Sequence, residues 1–153
     1  MRPRLLYLAK FLAVSLLLNA AWHPFSGAYV ASLNLSIGTL NRIPDFISGE
    51  DALRLGEMSK LLIPLVSIMI VTPGLGPVKK ATFVAAGIAA FWAADFIGYE
   101  SLVYMVLSHG MTEGSALLLA ANAIPWTIKW LLPFIFGIMP NYPYLRDTFS
   151  PHK

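Results

Sequence analysis

The chain has 153 residues, of which 57% are hydrophobic and only 12% charged, with a formal net charge of +3. Soluble domains carry about 25% charged residues, so several long apolar runs in so short a chain point to a polytopic helical membrane protein without a separate soluble domain. The basic residues bracket apolar segments instead of forming one stripe, which points away from nucleic acid. The absence of cysteine removes disulfides, thiolate metal sites and cysteine nucleophiles together.

Arg2, Arg4 and Lys10 precede the apolar run Phe11–Ala21. A charged start followed by apolar residues also fits a secretory signal. Leu18 or Asn19 would then stand where cleavage wants a small residue, so a retained first helix over residues 5–22 is expected, with Lys10 snorkelling back to the interface. Trp22 and His23 mark its far end, and Pro24 is expected to stop it.

Residues 26–59 form the most polar part of the chain. Val30, Leu33, Ile37 and Leu40 share a helical face, which predicts a short amphipathic helix on the outer membrane surface or folded against the bundle, broken by Pro44. Ser48 and Asp51 have capping-box spacing, so a helix starting there can run on into the next apolar segment. Asp45, Glu50, Asp51 and Glu57 cluster here; they read as a solvated loop, with a cation or partner site as the sharper alternative.

A second span is expected over residues 60–78, kinked at Pro64 and containing the turn cluster Thr72–Pro77. That cluster has neither GxGxxG nor GxxxxGK[ST] and resembles no phosphate loop.

The third span, residues 81–107, is the most informative. A bilayer core of roughly 30 Å needs about 20 helical residues, and between Ala81 and Gly98 the only charge is Asp95. Ala86, Ala90 and Ala94 recur every fourth residue, and Gly87 broadens the small face, which lets another helix approach closely. A fourth span over residues 115–137 is expected to be interrupted by Pro125 and Pro133, and it carries Lys129. The remainder, from Pro140, reads as a polar tail in which Tyr142 and Tyr144 suit the headgroup region.

With the N-terminus inside, Arg2, Arg4, Lys10, Lys79, Lys80, Arg146 and Lys153 lie on the inner side, against Arg42, Arg54 and Lys60 outside. This asymmetry predicts four passes through the cell's inner membrane, with both termini cytoplasmic.

Intramembrane ionisable residues are functional candidates. Asp95 and Lys129 are the two here, as a structural pair, an ion or proton path, or a substrate or lipid site. Measured from each helix end, Asp95 falls nearer the outer face and Lys129 nearer the inner one, so a bridge would need tilt or a shifted boundary. Asn19, Asn122 and Thr127 are expected to hydrogen-bond between helices. Glu100 and His109, with His23 nearby, are the candidate acid–base or metal-ligand pair on the outer side, although a spacing of nine does not put them on adjacent turns. His152 lies in the opposite tail. There is no HExxH, GxSxG or CxxC, and no motif names a cofactor or a resident metal.

Across residues 50–137 the order of elements resembles the exosortase/archaeosortase family of membrane transpeptidase-like proteins. A helix follows a polar outer segment, a proline-rich turn precedes two basic residues, a long helix leads to His109-Gly110, and an apolar helix closes the run. The resemblance implies that His109 is the counterpart of the family's histidine. Asp95-Phe96-Ile97-Gly98 stands where the family has an Asn-x-x-Arg-like motif, without the arginine, and the family's cysteine is missing from the whole chain. Nucleophile and positive partner are both gone, so transpeptidation does not follow.

The leading expectation is therefore a small non-catalytic membrane subunit that packs against another membrane protein or a second copy of itself through its small-residue seam and outer segment. As a degenerate relative of that family it would act in protein sorting or surface-polymer export. A transporter or ion-conducting subunit using Asp95 and Lys129, and a membrane enzyme using His109 and Glu100, are the alternatives.

Overall fold

The computed structural model describes residues 2–42, 47, 49–109 and 116–150. Among these, the chain is helical apart from short turns and contains no strand, so the fold class is all-α. The helices are α1 (Arg2–Ala21), α2 (His23–Asn41), α3 (Gly49–Ser59), α4 (Ile63–Val71), α5 (Pro77–His109), α6 (Ala116–Ile138) and α7 (Tyr142–Phe149). Two stretches of the described helices are long and apolar enough to cross a membrane, Arg4–Ala21 and Pro77–Met105.

α1 ends at Ala21, beside the expected end at residue 22, and a second helix begins at once around Pro24. Pro24 takes one of the first two positions of α2, where a missing N–H costs nothing. Trp22, the residue between the helices, keeps right-handed helical angles, and its carbonyl accepts the Ser26 N–H at 2.9 Å. α1 and α2 thus form one long rod with a joint at Trp22. Of the two arrangements expected for this helix, α2 takes the one folded against the bundle, on α3 and α5. Tyr29, Leu33 and Ile37, spaced four apart, are buried on its inner face, while Leu40 is exposed.

α4 runs antiparallel to α1, and three hydrogen bonds fix the register. Trp22 Nε1 donates to Ser59 Oγ at 3.0 Å, Ser15 Oγ donates to Ser67 Oγ at 2.9 Å, and the Tyr7 and Thr72 hydroxyls meet at 3.0 Å. Ser59, Ser67 and Thr72 are fully buried, so each hydroxyl needs such a partner. α3 leads into α4 through a single 3₁₀ turn, Lys60–Leu62, with Pro64 at the start of α4. The span expected over residues 60–78 is cut short, because α4 ends at Val71 and Gly74 (φ +105°) turns the chain into α5. Pro77 is the first residue of α5, which therefore takes in Lys79 and Lys80.

α6 is unbroken through Pro125 and Pro133. The expected polar tail is a 3₁₀ turn followed by α7, again with a proline, Pro143, among its first residues. Arg4 fastens α7 to α1: Nε donates to the Thr148 carbonyl at 3.0 Å and Nη2 to the Ser150 carbonyl at 2.5 Å. The Tyr7 ring packs against Tyr144 and, edge-on, against Phe149. Ser48, Pro44 and Asp45 lie outside the described residues, as do Gly110 and His152.

Candidate functional site

Among the described residues α5 and α6 share the most extensive helix–helix contact, and a small residue lets them meet. Gly87 is buried at their crossing. A Cβ there would lie 2.4 Å from Leu65 Cδ2 of α4 and 3.4 Å from Phe136 Cβ of α6. Gly137 also faces Leu65 and Ile68, but at 3.4 to 3.6 Å, which leaves room for a Cβ. At Gly87 the small face is covered from within the chain by Leu65 of α4 and Phe136 of α6, while Ala86, Ala90 and Ala94 are half-buried.

This crossing sets the register that brings Asp95 to Lys129. Eight residues up α5 from Gly87 is Asp95, and seven residues back along α6 from Phe136 is Lys129. The rises are about 12 Å and about 10 Å, so the two side chains arrive at one level. Lys129 Nζ donates to Asp95 Oδ1, and the pair is buried, at 2% and 7% exposure. Measuring depth from each helix end placed them at different levels because the ends are not flush. Gly87 lies well inside α5, whereas Phe136 is almost at the end of α6.

The sequence reading missed the third member. Tyr29 of α2 donates its hydroxyl to Asp95 Oδ2 at 2.5 Å and is itself buried. Both carboxylate oxygens are therefore occupied by donors from two other helices. Phe91, one turn below Asp95, lies under the ammonium, with Nζ 4.6 Å from the ring centroid. Its ring also meets that of Tyr29 at 6.1 Å. Taking two charges out of water costs several kcal/mol each, which is offset only when geometry and added hydrogen bonds are good. Here a second donor and an aromatic face supply that compensation. The available signal for Tyr29 was its place four residues before Leu33, on the apolar stripe of α2.

The remaining candidates are dispersed. Glu100 is half-buried and accepts from Asn41 Nδ2 at 2.8 Å, tying the top of α2 to α5. α5 continues through His109, about 13 Å further along the same helix. The side chains of His109 and Asn122 lie outside the described part of the structure. His23 is exposed at the start of α2. Asn19 and Thr127 do not bridge helices. Asn19 is exposed and offers its backbone carbonyl to Trp22, while Thr127 is exposed and bonds back to Ala123 of its own helix, the local alternative always open to a threonine in a helix. Glu50 pairs with Arg54 on the exposed face of α3, and Glu57 pairs with half-exposed Lys60 in the turn that follows. Beside Tyr29, α2 and α5 leave an apolar recess of about 550 Å³, with Ala28, Ala85 and Ala89 in its walls and the Trp92–Ser32 hydrogen bond at its edge.

Neither a family model, nor a curated protein, nor a solved structure matches the chain.

Proposed function

We propose that this chain is a small non-catalytic integral membrane subunit that crosses the inner membrane four times, with both termini in the cytoplasm, and associates sideways with another membrane protein or a second copy of itself. The passes are α1, the α3–α4 run, α5 and α6. The Arg4 contacts with Thr148 and Ser150 favour an even number of crossings, because they put residues from the two ends of the chain at one end of the bundle.

The observation that carries the subunit reading is the bare face of α1. Leu5, Leu6, Leu12, Leu16 and Leu17 are all more than half exposed, although the helix packs closely along α4 on its other side. The order of elements shared with exosortases suggests the setting, protein sorting or surface-polymer export, for a relative that has lost the nucleophile. Gentle extraction of the tagged protein followed by native mass spectrometry tests the reading. A stoichiometric membrane partner or a homo-oligomer is expected, and a lone monomer overturns it.

A second reading, an ion- or proton-conducting subunit, is favoured by one observation: the buried Asp95–Lys129 pair that joins α5 and α6. It requires Asp95→Asn to abolish flux in reconstituted vesicles with the fold retained. Unchanged flux removes it.

A further inference from the structure

One end of the bundle gathers positive charge, and the contacts place each member. Arg4 reaches the carbonyls of Thr148 and Ser150, next to Arg146. Tyr7, one turn beyond Arg4, meets Thr72, and the Thr72 carbonyl accepts from Lys80 Nζ, beside exposed Lys79. Lys10 is exposed one turn above Tyr7. Against these cations the same end offers one described carboxylate, Asp147, which pairs with Arg146. Arg4, Lys10, Lys79 and Lys80 have no carboxylate within ion-pair distance among the described residues. The opposite end carries Glu50, Asp51, Glu57 and Glu100.

Aromatic residues lie at this end too. The Arg4 clamp holds α7 at the basic end, where Tyr142 and Phe149 are exposed and the Tyr144 and Tyr7 rings meet at a tilt. Exposed aromatic rings level with unpaired cations are the composition of a headgroup layer, where the ring body is apolar and the rim is wet.

We infer that this end binds the anionic headgroups of phospholipids, with Lys10, Lys79 and Lys80 as the cationic contacts and α7 lying in the headgroup layer. The inference rests on the membrane-crossing reading above. Each basic residue near an anionic surface strengthens binding about fivefold, an effect that falls as salt shortens the screening length.

The test uses the full chain in mixed micelles containing phosphatidylglycerol or phosphatidylcholine, with retained lipids counted by native mass spectrometry. Phosphatidylglycerol should be retained at least fivefold over phosphatidylcholine at low salt, and the preference should fade at high salt. Lys10→Gln with Lys79→Gln, both exposed and outside any described hydrogen bond, should lower retention about fivefold for each lysine removed. Lys60→Gln, on the opposite half, should leave it unchanged. Equal retention of the two lipids by the unaltered chain overturns the inference, as does equal retention by the double variant and Lys60→Gln. The unaltered chain's lipid preference decides the matter even where a variant expresses poorly. Insertion is read separately, as resistance to alkaline extraction from pure phosphatidylcholine vesicles. A chain that washes off refutes the membrane-crossing reading, whereas one that stays without anionic preference refutes only the headgroup site.

Discussion

Phe136 rests on Gly87, and that contact fixes where Lys129 reaches α5. Gly87→Ala should therefore act at two places. The new methyl meets Cδ2 of Leu65, a fully buried side chain whose end must move to admit it. Overpacking of this kind costs about 1–3 kcal/mol, and any sliding of α6 to relieve it strains the buried ion pair. Gly137→Ala should be close to neutral, because its Cβ would meet neighbours at 3.4 to 3.6 Å and the helix gains a better helix former. Thermal unfolding of both variants in detergent separates the two cases. Equal destabilisation would mean that Gly87 does not set the crossing.

Asp95→Ala should cost about 3–5 kcal/mol, since it strands a buried ammonium and a buried phenol. Replacing the whole cluster by apolar residues, Asp95→Leu with Lys129→Met and Tyr29→Phe, should recover most of that loss. Partner binding measured on the triple variant then separates architecture from chemistry. Retained binding is expected of a structural cluster, and flux lost on a recovered fold belongs to the conducting alternative.

Arg4→Gln should release α7 without unfolding the bundle. Faster hydrogen exchange confined to residues 142–149, with protection of α4 and α5 unchanged, is the expected pattern. Each charged-donor bond is worth about 1.5–3 kcal/mol, and the exposure of the Ser150 contact puts the total toward the lower end. Loosening throughout α1 would show that the clamp supports more than α7.

Trp22→Phe keeps the aromatic packing on Phe25 and deletes the donor to Ser59. A loss of about 1 kcal/mol is expected. Ser59→Ala on top of it should add little, because the two residues share that bond. Full additivity in this double-mutant cycle would count against the Trp22 joint as a coupled unit.

Sequence periodicity and composition made α1 and α5 legible, along with the all-helical class, because length and apolarity are properties of a single segment. They also singled out Asp95 and Lys129, since a charge in an apolar run stands out wherever it points. Their pairing was not legible. It depends on the stagger of α6 against α5, which is decided by where Gly87 admits Phe136. Tyr29 escaped notice because a tyrosine on an apolar stripe differs from its neighbours by one hydroxyl, whose partner lies 66 residues away. α7 was hidden by Pro140 and Pro143, which read as helix breakers until the structure places Pro143 among the first residues of a helix.

The Arg4 clamp also bears on the order in which the bundle is built. It joins residues separated by 144 and 146 positions, so the beginning of α1 obtains its partners only after nearly all of this sequence has been synthesised. Contacts this distant along the chain form late, because the whole intervening loop must close first. Until then the lower end of α1 is secured only through Tyr7 and Thr72. A circular permutant that joins residue 150 to residue 4 and opens the chain between α2 and α3 would turn that distant closure into a local one, leaving the packed bundle the same and changing only the route to it.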